Sequence, residues 1–374
     1  MSNDQDQHLQ KWRLILGAKA DPDGEVDMGE EMRGMSDTLD VLYDSEKKGG
    51  LGASAPNVNR WLGDIRRYFP SPVVQIMQRD ALDKLGLDRM LLEPELLSSV
   101  VPDVHLVGTL LSLSKILPDR SRETARQLVR QVTEDLEKRL RQPLLQAVRG
   151  SLHRAARTRR PRPGDIDWRQ TIQRNLKHYQ PEFKSIIPVE LRGYARRQHQ
   201  LRHLVLLIDQ SGSMAESVVY AGVISCIMAS LRSIRTQVIA FDTSVVDLTE
   251  HLHDPVDLLF ATQLGGGTDI NRVLTYAEGI VSHPQDTIMI LLSDLFEGGN
   301  PAEMFQRIAR LQASGVQFIS LLALSDEGVG SYDHGHAQQL VEMGIPAFAC
   351  TPDQFAEVMA AAIQKESLSR FKMG

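Results

Sequence analysis

The segment HLVLLIDQSGSM, residues 203–214, is the most informative about the fold, because an apolar run ends there at a polar turn. Residues 204–208 are all Leu, Val or Ile, a pattern typical of a strand that is buried on both faces of a sheet. The turn that follows supplies Asp209, Ser211 and Ser213. In open α/β sheets, ligands bind beyond the carboxyl ends of the strands, so the pattern predicts a ligand site at this turn.

Further apolar runs follow along the chain, and helical patterns separate them. Buried strands are predicted at 237–242, 287–294 and 316–324, with short strands at 245–249 and 346–349. Helices are predicted at 214–231 and 269–281, and two more begin at Asn300 and Thr351 with a capping residue and a proline. This alternation predicts an α/β fold with a mostly parallel sheet, one short antiparallel edge strand and helices on both faces.

Oxygen-bearing side chains recur where the predicted strands end. Thr268 lies in the glycine-rich segment LGGGTD, 264–269, and Asp294 ends the third buried strand. With the first turn they give three hydroxyls and two carboxylates at one edge: Asp209, Ser211, Ser213, Thr268 and Asp294. The set contains no His or Cys, which makes zinc and copper poor candidates. Magnesium fits best, and manganese or calcium could substitute.

This ordered set resembles the metal-ion-dependent adhesion site of von Willebrand factor A (VWA) domains, over residues 203–366. The resemblance implies that both serines and Thr268 touch the ion directly, whereas Asp209 and Asp294 act mainly through water. The open coordination position would accept an Asp or Glu carboxylate from a protein partner.

Four residues are expected to support these ligands: Asp242, Asp269, Gly212 and Gly267. Gly212 and Gly265–Gly267 are expected to let the two loops turn tightly. A turn-forming role for Asp242 and a helix-capping role for Asp269 are the alternatives.

Over its whole length, the sequence resembles bacterial cytoplasmic VWA proteins of the CoxE-like or YehP type, which have a helical region before the VWA domain. The stretches that carry the likeness are KWRLILG (11–17), LLIDQSGSM (206–214), AFDTSVVDLT (240–249), QLGGGTDI (263–270) and SDLFEGG (293–299). The resemblance implies a MoxR-type AAA+ ATPase as a partner, in a chaperone or maturation role. The site itself favours a non-enzymatic interaction module because no general base or nucleophile is evident beyond the ion ligands.

The chain is expected to have three parts, namely a helical region at 1–150, an Arg-rich linker and bridge at 151–202, and the VWA domain at 203–374. The clearest N-terminal helix is 121–148, where apolar residues recur every three or four positions. Pro143 predicts a kink or a break within it. Other predicted helices are 9–16, 28–42, 58–68, 73–85 and 106–116.

Two further functions stay open at this point. The six arginines between Arg149 and Arg162 favour a solvated hinge, but they could instead bind an acidic protein or nucleic acid. The same ion could serve a phosphatase or hydrolase. Two His-x-His pairs, His251/His253 and His334/His336, are interpreted as surface-loop residues.

Composition narrows the possible partners and cellular compartments further. A net charge of −6 provides no overall basic field for nucleic acid, which makes that partner a poor candidate. The two cysteines, Cys226 and Cys350, do not form a disulfide framework and fit a reducing compartment. No signal-type start and no membrane-length apolar run is evident, so the expectation is a cytoplasmic protein without membrane contact.

Overall fold

The chain falls into two compact units, Met1–Val132 and Thr133–Gly374. The computed structural model describes residues 9–14, 16, 21, 28–43, 55–85, 97, 100–114, 116–155, 157–194, 202–262, 265–326 and 331–371. The three-part division at residues 150 and 202 stays a prediction.

The first unit is helical, as the sequence predicts. Residues 9–14 and 16 are helical, and four helices follow: α1 (Glu30–Tyr43), α2 (Ala55–Tyr68), α3 (Ser71–Leu85) and α4 (Val104–Ser112). The buried indole of Trp61 donates a hydrogen bond to the Thr38 carbonyl at 3.1 Å, which ties α2 to α1. A buried indole N–H needs such a partner, because leaving it unpaired costs free energy.

A long helix, α5 (Asp119–Ala155), crosses the division between the units. Pro143 lies inside it, so the predicted possibility of a break at this residue is wrong. Proline removes one backbone hydrogen bond, here the bond that would reach the Arg139 carbonyl. A helix of 37 residues keeps the bonds on either side, and buried Leu140 and Leu144 hold this stretch against apolar neighbours.

Short elements follow the long helix. They are β1 (Arg157–Thr158), a 3-10 turn (Pro163–Asp165), α6 (Trp168–Asn175), β2 (Tyr179–Gln180), β3 (Ser185–Ile186) and β4 (Gly193–Tyr194). β1 pairs with β4 and β2 pairs with β3, both antiparallel. The buried Asn175 side chain joins α6 to the chain before β4, because its Nδ2 donates to the Glu190 carbonyl at 2.8 Å and its Oδ1 accepts from Val189 N–H at 2.9 Å. Residues 151–155 end α5 and residues 157–158 form β1, so part of the predicted Arg-rich linker and bridge at 151–202 is regular structure.

The second unit contains a six-stranded sheet. Its strands are β5 (Arg202–Asp209), β6 (Ile234–Phe241), β7 (Val245–Asp247), β8 (Thr287–Leu292), β9 (Gln317–Leu324) and β10 (Ala347–Cys350). They lie in the order β10-β9-β8-β5-β6-β7, and every neighbouring pair is parallel except β6 and β7. This confirms the predicted α/β class with one short antiparallel edge strand.

Six helices accompany the sheet: α7 (Ala215–Ala229), α8 (Pro255–Ala261), α9 (Ile270–Ile280), α10 (Pro301–Ser314), α11 (His334–Glu342) and α12 (Pro352–Gln364). Asn300 caps α10, and Thr351 opens α12 with a capping box, as predicted. Helices α8 and α11 are not predicted from the sequence. Both are shorter than ten residues, which leaves too few turns for a clear apolar period.

Strand order sets the position of the site. β5 lies between β6 and β8, so the chain leaves β5 towards one side of the sheet and later returns on the other. At such a switch point the connections after the two central strands diverge and leave a crevice at their carboxyl ends. Asp209 ends β5, and Asp294 follows β8 by two residues, so both carboxylates lie at this crevice.

Helix α7 forms part of an apolar window, Gly212–Ala229, that is long and apolar enough to span a membrane, and it is the one such window among the described residues. The window is 67% buried, and α7 packs against β5, β6 and β9. The core helix of a water-soluble domain has the same composition.

Cys226 and Cys350 are free thiols, and burial raises the pKa of each to about 12.

Candidate metal centre

Asp209 is the centre of the candidate site. It is fully buried at the end of β5, and its Oδ1 accepts the backbone N–H of Ser211 at 2.9 Å. The hydroxyls of Ser211 and Ser213 lie 3.2 Å apart on the turn that follows. The short turn therefore places one carboxylate and two hydroxyls together.

Asp294 completes this group from the neighbouring strand. The Ser213 hydroxyl donates to Asp294 Oδ2 at 2.5 Å, so the turns after β5 and β8 are in direct contact. Asp294 Oδ1 accepts the backbone N–H of Phe296 at 3.4 Å, which holds the carboxylate against its own turn.

Thr268 lies in a third loop, the one that precedes α9. Its hydroxyl donates to Asp209 Oδ1 at 3.5 Å, and both residues are buried. Backbone bonds fix this loop from two sides, because Gly265 N–H donates to the Gln210 carbonyl at 2.9 Å and Gly298 N–H donates to the Thr268 carbonyl at 2.8 Å. All five residues predicted from the sequence are thus brought together at one edge of the sheet.

The predicted supporting aspartates have other partners. Asp242 Oδ1 accepts the backbone N–H and the hydroxyl of Ser244 at 2.5 and 2.7 Å, which is a turn. Asp269 caps α9 by accepting Arg272 N–H at 2.8 Å. Within the described residues, neither carboxylate forms a hydrogen bond with the five site residues, so the structure displays the two alternative roles. The main chains of Asp242 and Asp269 are in contact with each other, because Asp269 N–H donates to the Asp242 carbonyl at 2.9 Å.

The four glycines of these loops differ in what constrains them. Gly265 and Gly266 have φ values of +106° and +130°, which side-chain-bearing residues rarely adopt. Gly212 has no positive φ, and a Cβ there would meet no atom within 4 Å. The expectation that Gly212 is needed for a tight turn is therefore wrong. At Gly267 a Cβ would lie 3.3 Å from Thr243 Cγ2, so close packing is its constraint.

Sequence reasoning missed two residues that hold the site. The buried Ser293 hydroxyl donates to Asp209 Oδ2 at 2.7 Å and accepts Leu295 N–H at 3.1 Å, so one side chain links the turns after β5 and β8. His336, interpreted as a surface-loop residue, instead lies in α11 with Nδ1 at 2.9 Å from the Leu295 carbonyl. The pair Ser293-Asp294 at a strand end was a signal for the first. No sequence signal pointed to the second, because α11 was not predicted.

Among the described residues, no positively charged side chain balances the negative charge of the two site carboxylates. Burial raises the pKa of Asp209 above the ordinary Asp value, and the negative charge of Asp294 raises it further, against the lowering effect of hydrogen bonds from Ser293 and Ser211. No Lys or Arg of the described residues forms an ion pair with either carboxylate. Two carboxylates and three hydroxyls form a donor set of hard oxygens, which suits Mg²⁺.

This group of side chains differs from metal sites that are built only from carboxylate, His and Cys side chains. The part of the chain that the structure describes contains no group of three or more Asp, Glu, His or Cys side chains placed to hold an ion. An ion at this edge would therefore depend on the hydroxyls of Ser211, Ser213 and Thr268 as much as on the two carboxylates.

A mostly parallel six-stranded sheet with a hydroxyl-rich turn after its central strand defines a VWA-type domain, a protein-interaction or adhesion-type module. The chain belongs to the family of VWA domain containing CoxE-like proteins, whose family model matches residues 136–359. It is 33% identical over 366 residues to the uncharacterized protein YehP of Escherichia coli (strain K12), covering 95% of this chain and 97% of that protein.

Two solved structures are similar to part of the chain at low identity. A von Willebrand factor type A structure from Catenulispora acidiphila is 16% identical, covers 44% of this chain and 42% of that one, and has a TM-score of 0.35. The conserved hypothetical protein BatB from Bacteroides thetaiotaomicron is 14% identical, covers 44% of this chain and 98% of that one, and also has a TM-score of 0.35.

Proposed function

We propose that the protein binds one divalent cation, with Mg²⁺ preferred over Mn²⁺ or Ca²⁺, at Asp209, Ser211, Ser213, Thr268 and Asp294. The bound ion would then accept an Asp or Glu carboxylate from a protein partner. The observation that carries this proposal is a buried pair of carboxylates that lies among three hydroxyls and has no Lys or Arg ion-pair partner among the described residues. Ionised carboxylates out of water are costly unless a cation or hydrogen bonds offset their charge, and a metal ion would supply that charge.

The roles of the five residues follow from their positions. The hydroxyls of Ser211 and Ser213 lie 3.2 Å apart and would bind the ion directly, together with Thr268. Asp209 is already engaged by three donors, from Ser211, Ser293 and Thr268. A carboxylate so occupied suits an outer position, where it would hold a metal-bound water. A partner carboxylate would complete the octahedron that Mg²⁺ favours.

We propose a binding role without catalysis. A hydrolase would need a general base or nucleophile beside the ion ligands. His336, which contacts the turn after β8, has its Nδ1 on the Leu295 carbonyl, which makes this nitrogen a donor, and it does not hydrogen-bond a site hydroxyl. Magnesium-dependent turnover of a phosphoester panel would contradict the proposal.

The family supports the wider setting that we propose. A cytoplasmic location, a MoxR-type AAA+ ATPase as a working partner, and a chaperone or maturation role rest on the resemblance to CoxE-like proteins. In this scheme the VWA domain would recognise the carboxylate of a partner, and the ATPase would supply the energy for remodelling.

The proposal is tested by affinity capture from cell extract with the full chain as bait. Recovery of a specific partner is expected in the presence of Mg²⁺, and not in EDTA or with Asp209→Ala. Asp353→Asn is the matched control, because Asp353 follows β10 at the same edge and contacts Arg139 instead. Equal recovery with Mg²⁺, with EDTA and with Asp209→Ala would refute metal-dependent binding.

A further inference from the structure

The turn after Asp294 has an unusual backbone. Leu295 adopts φ +64°, a left-handed conformation that is unfavourable for a residue with a branched side chain. This conformation turns the chain so that the Leu295 side chain is fully buried, whereas the next side chain, Phe296, is 48% exposed. The turn therefore presents an aromatic ring to solvent two residues after a candidate metal ligand.

Several contacts hold this strained turn in place. Leu295 N–H donates to the Ser293 hydroxyl at 3.1 Å, and His336 Nδ1 donates to the Leu295 carbonyl at 2.9 Å. The His336 ring packs edge-on against Phe305, with the ring centroids 5.5 Å apart. The first turn of α11 also reaches the site, because Asp333 N–H donates to the Asp294 carbonyl at 2.9 Å. The position of Phe296 is thus fixed before any partner binds, which lowers the entropic cost of using it.

The neighbours of Phe296 face the protein. Glu297 is half-buried, and its carboxylate accepts Ile270 N–H at 2.6 Å and Gly299 N–H at 3.1 Å. Phe296 is therefore the solvent-facing side chain of the turn. Its own N–H is bonded to Asp294 Oδ1 at 3.4 Å, which places its backbone one hydrogen bond from the candidate ion site.

We infer that Phe296 is a specificity-determining contact, and that the partner carries an apolar side chain next to the carboxylate that binds the ion. This inference rests on the proposed function. The carboxylate would supply the charge that the ion requires, and the apolar neighbour would cover the exposed ring. A partner with polar residues beside its carboxylate would bind the ion but leave the ring in water.

The test uses arrayed peptides and the full chain. One peptide set has a central Asp flanked by Leu or Phe, a second set has Asp flanked by Ser, and a third replaces Asp with Asn. With Mg²⁺, the wild type is expected to favour the first set over the second by about fivefold, the scale of one apolar contact. Phe296→Ala is expected to lose this preference and Phe296→Leu to retain part of it.

Control measurements separate the possible outcomes. Val246→Ala removes another exposed apolar side chain, on β7, and is expected to keep the preference. A Mg²⁺-induced rise in unfolding temperature that is equal in Phe296→Ala and the wild type would show that the ion site is intact. Magnesium-dependent binding with no flank preference, or with the same preference in Phe296→Ala, would overturn the role of Phe296. No magnesium-dependent binding of any Asp peptide would instead overturn the proposed function, and this inference with it.

Discussion

Asp209, Asp294, Asp326 and Asp353 lie where β5, β8, β9 and β10 end, at the same edge of the sheet, but they form two different pairs. Asp326 and Asp353, after β9 and β10, share Arg139 of helix α5. Asp209 and Asp294, after β5 and β8, have no Lys or Arg partner among the described residues and are bonded by hydroxyl and backbone groups. Similar residues at similar positions are thus held in opposite electrostatic environments.

Asp326 and Asp353 form an ion cluster with Arg139. The guanidinium reaches Asp326 with two nitrogens at 3.0 and 3.1 Å and Asp353 at 2.9 Å, and the Tyr220 hydroxyl donates to Asp326 at 2.9 Å. The hydrogen bonds from Arg139 lower the pKa of Asp326 despite partial burial. Here the chain supplies its own cation, and the carboxylates attach α5 to the edge of the sheet. The family match begins at residue 136, so this stretch of α5 belongs to the matched domain.

The Asp209 pair lacks such compensation, and burial raises the pKa of Asp209. The pKa of Asp326 is lowered and that of Asp209 is raised, so the two carboxylates differ in how their charge is stabilised. Altering each pair should therefore have different consequences.

The largest effect is expected for Ser293→Ala. The change leaves Asp209 Oδ2 without its hydroxyl donor in a buried position, and it removes the acceptor for Leu295 N–H. An unpaired buried polar group costs about 2 kcal/mol, so urea unfolding should show a free energy of unfolding lower by that amount. Magnesium affinity should fall by about tenfold, the usual cost of losing a group that orients a ligand.

Ser320→Ala is the matched control for this change. Ser320 is also a fully buried serine on a strand of the sheet, but its hydroxyl has no hydrogen-bond partner within the described part of the chain. The substitution should leave the free energy of unfolding unchanged or slightly raised. Equal destabilisation by both changes would show that the Ser293 hydrogen bonds are unimportant.

A smaller effect is expected for Arg139→Met, which keeps most of the side-chain volume and removes the cation. The Arg139 side chain is 42% exposed, so solvent screens its ion pairs and the expected loss of stability is about 1 kcal/mol. Magnesium affinity measured by calorimetry should not change, because this cluster is separate from the ion site. A clear loss of magnesium binding would contradict the division into two pairs.

The smallest effect concerns pH. Because Arg139 lowers the folded-state pKa of Asp326, this group contributes stability above the ordinary Asp pKa of about 3.9 and loses it as the pH falls through the lowered value. Between about pH 5 and pH 3, the wild type should therefore lose more unfolding free energy than Arg139→Met, by less than about 1 kcal/mol. Parallel stability curves for the two proteins would show that the pair does not affect folding.

The same contrast explains what the sequence could predict. Strands such as 203–209 and 316–324 are nearly continuous apolar runs, so their place in a buried parallel sheet follows directly. The five site residues follow because each stands immediately after a strand or at a helix start. The structure alone reveals Ser293, His336 and Arg139, because their partners lie far away in sequence and no local pattern encodes such contacts.

The most direct test of the central claim is a titration of Mg²⁺ into the full chain and into Asp209→Asn, followed by calorimetry and thermal unfolding. The account predicts that the wild type binds one ion and that its unfolding temperature rises with Mg²⁺ concentration. Asp209→Asn keeps the shape of the side chain but loses its charge, so it should show neither response, whereas Arg139→Met should respond like the wild type. A wild type that binds no ion, or an Asp209→Asn protein that binds equally well, would contradict the claim that Asp209 and its neighbours form a metal site.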